Sequence, residues 1–377
     1  MRILVAMDSF KGSLTAAEAC RAVAAGIVRA RPEVEVAQLP ISDGGDGLLM
    51  ALSGALSERG YEKHRVSVQG PLGEPAQAEL WIDGKTCIME MAQACGLTLI
   101  AREKRSALRT TSFGLGQAMG FALQQGCTEL FVGLGGSATN DLGLGAMQAL
   151  GCRFQKQGRA LESPVTGADL AELTALNDDV LRERLRGVQV TAIADVTNPL
   201  LGERGATRVF GPQKGGSFDE LSVLEEGMQR AARLLASHFG FDVSKRAGAG
   251  AAGGMGAALM WFTRARMQNG AQTVLDLLDF DRHLAASRFL ITGEGCFDSQ
   301  SQSGKAPWTA IGRALEQKVP VALFCGALRL SAKSLQQAGI GQAYDILSKA
   351  CNEEEAMQKA ASYLEQLAFR WAVQAIK

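Results

Sequence analysis

The chain opens on a short apolar run rich in branched residues, Arg2 to Met7, which the pattern predicts as a buried strand. Thr15-Ala-Ala-Glu18 has the form of a capping box, and Ala19, Val23 and Ile27 recur behind it at helical spacing. A second strand is expected over Val34 to Ile41, running into Ser42-Asp43-Gly44-Gly45-Asp46-Gly47 and another helix. This strand-helix-strand-helix opening predicts a parallel sheet with helices on its faces. The last third repeats the grammar, with strands at Phe289–Thr292, Val319–Cys325 and Tyr344–Leu347 and helices at Pro307–Gln317 and Ser331–Ala338. A final helix is expected from Glu353, its acidic first turn suiting the dipole, with Met357, Ala361, Leu364, Ala368 and Trp371 on the buried stripe.

The middle, roughly residues 67 to 286, is less regular and rich in glycine, with no low-complexity linker and no repeat. The expectation is an α/β protein of two domains: residues 1–66 plus 287–377 form one sheet domain from both termini, and residues 67–286 an inserted α/β domain. The length, 377 residues, agrees, being long for a single core. A formal net charge of zero gives no sign of nucleic acid or an anionic membrane as partner. No run of 18 apolar residues occurs, and the N-terminal run is too short for a signal peptide, so a cytoplasmic protein is expected. Eight cysteines without a CxxC pair fit a reducing compartment, and three separated histidines make zinc chemistry a poor fit. Monomer and homodimer stay equally open.

Glycine is the outlier: 44 residues, where an average chain of this length carries roughly 26. The glycines cluster beside expected strand ends, where ligands of open parallel sheets bind. Asp8-Ser9-Phe10-Lys11-Gly12-Ser13 reads equally as an anion site built from Ser9, Lys11 and a helix N-terminus, or as a turn with Ser13 or Thr15 as an ordinary cap. Asp43, in the second glycine loop, is a candidate for substrate hydroxyls or magnesium, against a plain turn. Phe131 to Asp141, reading FVGLGGSATND, is more specific: a strand enters three glycines and then hydroxyl and amide side chains, so that Gly133, Gly135, Gly136 and Ser137 form a phosphate-sized nest of N–H groups. Asp195 follows the expected strand Val188–Ala194, and Lys214 stands in Gly-Pro-Gln-Lys-Gly soon after. Glu294 and Asp298 leave another strand, and Lys305 opens a helix; an ion pair of Lys305 with either acid is the competing structural reading. Gly248 to Gly256 contains the dinucleotide fingerprint spacing, but no strand is expected before it, so it reads as close helix packing or a second phosphate loop rather than an NAD site. Together these acid- and lysine-bearing loops suggest a polyanion site with magnesium, the equipment of phosphoryl transfer.

Taken in order, the segments DSFKGS, DGGDG, GPLGEP (70–75), LRTTSFG (108–114), GLGGSATND, DVTNPL, GPQKG, GAGAAGG, TGEG and GKAP resemble the bacterial glycerate kinase family that includes the glycerate 2-kinases. The resemblance spans nearly the whole chain. It implies a Rossmann-like (flavodoxin-like) domain from both termini with an inserted α/β domain, and transfer of the ATP γ-phosphoryl group to glycerate. On that footing glycerate is expected between the domains, with Asp8, Ser9, Lys11, Asp43 and Arg109 as its binding residues. ATP is expected on the Gly133–Ser137 loop with Lys214 and Lys305, and Mg²⁺ on Asp298 or Glu294. Asp195 is the expected base, with Asp43 as the alternative, and Lys11 supplies positive charge at the reacting centre. Cys296 stands after GEG, and Ser303 before GKAP, where the family commonly carries larger or basic residues. Loss of a cation there weakens an anion contact by about 1.5–3 kcal/mol. The rival readings are a kinase of another small hydroxy acid, an NAD-dependent oxidoreductase, and a catalytically silent ligand-binding paralogue.

Overall fold

The computed structural model describes residues 1–44, 47–299, 301 and 304–376. Gly45, Asp46 and Ser303, named above, lie outside the described residues. The chain forms two compact α/β units, one of Met1–Asp43, Met50–Ala55 and Asn269–Lys377, the other of Gly44–Leu49 and Leu56–Gln268. Relative to the boundaries read from the sequence, residues 56–66, together with 44–49, fall in the second unit and 269–286 in the first. Pairing explains the former, because strand Glu62–Gln69 lies antiparallel to Pro75–Asp83. Charge explains the latter, because Arg313 on helix Ala306–Glu316 bonds Asp276 and Asp281.

The first unit is a five-stranded parallel sheet. Its spatial order is Gln342–Asp345, Val321–Cys325, Phe289–Gly293, Arg2–Met7, Glu35–Gln38. From the other edge this is the 2-1-3-4-5 order of doubly wound sheets, whose direction reverses between Arg2–Met7 and Phe289–Gly293. Ile3, Val5, Met7, Ile291 and Phe324 share one core with helices Ala16–Ala30 and Ala360–Ala375. Leu4, Leu290 and Leu323, one residue out of phase, are also fully buried, so both faces are covered and the strands read as continuous apolar runs. The expected capping box is present, with Thr15 accepting from the Glu18 amide. The strand expected over 34–41 is regular only over Glu35–Gln38; Pro40 interrupts it, although Leu39 and Ile41 still bond back to Val5 and Met7.

The expected final helix is two helices, Glu353–Gln358 and Ala360–Ala375, broken at Lys359. The break rotates the buried stripe onto Ala360, Leu364, Leu367, Ala368, Trp371 and Ala372, leaving Met357 and Ala361 exposed.

The second unit is built on a six-stranded sheet, ordered Arg266–Gln268, Gln189–Ile193, Glu129–Gly133, Thr86–Glu90, Pro75–Asp83, Glu62–Gln69. The first four are parallel, and Pro75–Asp83 pairs antiparallel with both of its neighbours. No strand precedes Gly248 within residues 241–250, which removes the context a dinucleotide fingerprint requires. Helix Ala251–Thr263 instead begins with Ala252, Gly253 and Gly254 in left-handed conformation, packed under the Thr139–Leu142 loop. The close-packing reading of those glycines holds.

Candidate active site

In the first unit, Met7 and Gly293 are register partners, so Asp8 and Glu294 leave the sheet side by side at its switch point. Gly295 continues the approach: a Cβ there would lie 3.2 Å from Phe10 Cα and 3.4 Å from the Lys11 nitrogen. Asp8 is buried and accepts the Ser9 amide at 2.6 Å. Burial, then Asp43 and Glu294, push its carboxyl up to about 7. Glu294 is buried as well, and burial raises it above the usual carboxylate range despite Ser301 and Lys305. Lys305 Nζ donates to Glu294 Oε2 at 3.0 Å, which is the structural ion pair weighed in the sequence reading. Burial works against the Lys305 charge, but Glu294, Asp298 and Asp43 outweigh it and raise its pKa.

The Phe10–Leu14 segment closes on itself, with Phe10 and Leu14 bonded both ways, and Gly12 has φ +78°. The following helix N-terminus is already supplied by Thr15 and Glu18. The cap reading of this loop is therefore realised at the Glu18 amide. Ser9 and exposed Lys11 remain.

Glu294 Oε1 is buried without a hydrogen-bond partner among the described residues. An acceptor left so is a natural ligand atom for a hard cation. Asp8, Asp43, Glu294 and Asp298 also outnumber Lys11 and Lys305, an excess of carboxylates that suits a divalent ion. No group of three or more His, Cys, Asp or Glu arranged to hold a metal occurs among the described residues. One or two of these carboxylates would suit a hard cation such as Mg²⁺.

In the second unit, Ile193 pairs with Gly133 and the Leu134 amide bonds the Ile193 carbonyl at 3.0 Å, so the Leu134–Ser137 loop and exposed Asp195 leave adjacent parallel strands. The loop is pinned at its rim: Leu97 N donates to Gly136 O (2.9 Å), Ala138 N to Cys95 O (2.9 Å) and Thr110 Oγ1 to Ala138 O (3.0 Å). The N–H groups of Gly135, Gly136 and Ser137 make no hydrogen bond among the described residues, and Gly136 has φ +66°. Three consecutive free donors around a left-handed glycine form an anion nest.

Lys214, expected on ATP, is buried at 2% exposure; its Nζ donates to Ser137 Oγ (3.1 Å), Thr139 O (2.7 Å) and Asn140 Oδ1 (3.4 Å). Arg109 is exposed, and its charge is felt by Glu220 at the start of helix Phe218–Phe239. Two residues escaped the sequence reading. Glu90, at the end of strand Thr86–Glu90, accepts from the amides of Gly47 (2.6 Å) and Leu49 (3.3 Å) and anchors the exit of the Ser42–Gly47 loop. Asp141 is wholly buried and accepts from Ser112 N, Ser112 Oγ, Gly143 N and Gly145 N. The only sequence signal for either was an acid ending an apolar strand or a glycine loop.

The profile of the glycerate kinase family matches residues 3–375. The chain belongs to the glycerate kinase family. It is 39% identical over 370 residues to the glycerate kinase of Bacillus subtilis (strain 168), covering 98% of this chain and 96% of that protein. It is 39% identical over 362 residues to the glycerate 2-kinase of Escherichia coli (strain K12), covering 96% and 94%. Among solved structures, a protein provisionally named glycerate kinase 2 from Salmonella typhimurium LT2 superposes with a TM-score of 0.86 at 35% identity, covering 100% of this chain and 98% of that one. The two-unit α/β architecture with parallel sheets is thus that of the family.

Proposed function

We propose that this protein is a kinase that transfers the γ-phosphoryl group of ATP to D-glycerate, giving 2-phosphoglycerate. Family membership along the whole chain and the names of the relatives support the reaction. The observation that carries the chemistry is the run of three unpaired amides at Gly135–Ser137, leaving the sheet beside Asp195. Such donors receive phosphate oxygens without needing a cation.

In the second unit, the Gly133–Ser137 loop receives the phosphates and Asp195 accepts the proton of the attacking hydroxyl; Arg109 is the exposed cation available to the substrate carboxylate. In the first unit, Lys11 and Ser9 bind the carboxylate, Asp8 and Asp43 bind hydroxyls, and Lys305 opposes phosphate charge. Asp43 is the alternative base. Mg²⁺ would be held by Glu294 and Asp298, where it supplies neutralisation of phosphate charge. Positioning and charge stabilisation suffice, so no covalent enzyme intermediate is required. Incubation with D-glycerate, ATP and Mg²⁺ followed by phosphorus NMR tests the reading. Production of ADP with a phosphomonoester on the 2-hydroxyl is expected, and a 3-phosphate or no turnover overturns it.

A second reading, a kinase of another small hydroxy acid, is favoured by half-buried Cys296 directly after Gly295. A panel of hydroxy acids in the same assay separates the two.

A further inference from the structure

Lysines are seldom fully buried, because desolvating an ammonium costs several kcal/mol unless its protons are all received. Lys214 meets that condition: its three acceptors, Ser137 Oγ, Thr139 O and Asn140 Oδ1, match the three protons of an ammonium. All three belong to the segment that continues the nest. The turn that presents Lys214 is itself tightly set. A Cβ on Gly215 would meet Arg105 O at 2.5 Å, and one on Gly211 would meet Thr207 O at 2.3 Å. Charge complementarity is present but indirect: Asp141 acts on Lys214 electrostatically, while its oxygens are taken by four other donors.

A nest needs such a brace. Three adjacent amides present their positive ends to one point and repel one another, and glycines in the loop add conformational freedom that disperses them. An ammonium that met phosphate directly would have to give up bonds it already makes.

We propose that Lys214 is a positioning residue: from beneath the loop it holds Ser137, Thr139 and Asn140, and so fixes the Gly135–Ser137 amides in the array that receives phosphate, without touching the phosphate. What the amides receive rests on the kinase reading; the bracing does not.

The test uses full-length Lys214→Met, similar in length and uncharged, at pH 6 without ligand. Hydrogen exchange of peptides covering residues 134–140 accelerates by at least about tenfold, while peptides from strand Pro75–Asp83 keep the wild-type rate. The KM for ATP rises by at least about tenfold. Unchanged exchange with a raised KM makes Lys214 a direct phosphate ligand and overturns the proposal, as does no change in either. Should wild type fail to turn over glycerate, the kinase reading falls, yet the exchange contrast still decides the brace. If Lys214→Met does not fold, Ser137→Ala removes one acceptor; a smaller acceleration in the same peptides is expected, and wild-type exchange there overturns the proposal.

Discussion

The carbonyl oxygen of Thr139 occupies the space a side chain on Gly253 would need: a Cβ there would lie 1.9 Å from that oxygen and 2.4 Å from Asn140 Oδ1. Gly253 also has φ +67°, and its own carbonyl receives the Leu142 amide. The helix start at 251–254 is thus a platform on which the end of the Leu134–Asp141 glycine loop rests. Gly253→Ala combines overpacking against backbone with left-handed strain, and a loss of about 2–4 kcal/mol in urea denaturation is expected. Two controls isolate the contact. Gly240, left-handed with open space, should cost about 1 kcal/mol on the same change. Gly312, inside helix Ala306–Glu316 with nothing near, should gain up to about 1 kcal/mol.

Asp141 ties together the starts of helices Phe113–Gln124 and Leu144–Ala149, because Ser112, its partner through both amide and hydroxyl, in turn accepts the Ala146 amide. Every partner of Asp141 is a donor, so Asp141→Asn turns an NH₂ group toward donors inside the core. A loss of about 2–4 kcal/mol is expected. In a double-mutant cycle with Ser112→Ala, a coupling of at least about 1 kcal/mol should appear; strict additivity would mean the two residues act separately.

Much of the first unit was legible because its determinants are local. Strand Arg2–Met7 is apolar from Ile3 onward since both sheet faces are covered there, and Thr15 with Glu18 write a helix start within four residues. The nest was legible for the same reason, as glycines and hydroxyls stand consecutively. What escaped depends on partners distant in sequence. Strand Glu62–Gln69 is a sheet edge and carries Lys63, His64 and Arg65, so its apolar signal is thin. Lys214 lies 77 residues from Ser137, and nothing in Gly-Pro-Gln-Lys-Gly distinguishes a buried brace from a solvent-facing phosphate ligand. In the final helix Leu364, Ala368 and Trp371 are buried as expected, and only Met357 and Ala361 misled: Lys359 suits a helix by propensity, and the break there shows only in the geometry.

Burial pushes Lys214 from its ordinary 10.5 down to about 7, against the opposing influence of Asp141. The unfolded chain then binds one more proton than the folded chain between those limits. Stability from this group is therefore fully present above 10.5 and is lost as pH falls toward 7. From pH 7 to pH 9 wild type should gain about 2 kcal/mol relative to Lys214→Met, read from paired urea titrations. Parallel curves for the two proteins would show that the ammonium keeps an ordinary pKa in its pocket.

Glu294 Oε1 is a buried acceptor without a partner among the described residues, while Oε2 is held by Lys305. Glu294→Gln keeps the shape and removes the charge. The Mg²⁺ concentration for half-maximal activity should rise by at least about tenfold. Nucleotide binding measured by calorimetry without metal should stay at the wild-type value. An unchanged Mg²⁺ requirement would move the metal away from this carboxylate.

Under the proposed reaction two acids are candidates to accept the proton of the attacking hydroxyl, Asp195 beside the nest and Asp43 in the other unit. Asp195 is exposed at the end of strand Gln189–Ile193, in reach of solvent that can carry the proton away, whereas Asp43 is half-buried and its charge is felt by both Asp8 and Lys305. Asp43 therefore suits binding more than turnover. Asp195→Asn should lower kcat by about 10²–10⁴-fold with the glycerate KM within about threefold of wild type. Asp43→Asn should show the opposite split, with a raised KM and most of kcat retained. Wild-type kcat in Asp195→Asn together with a collapse of kcat in Asp43→Asn would transfer the role to Asp43 and leave Asp195 as a strand-end residue.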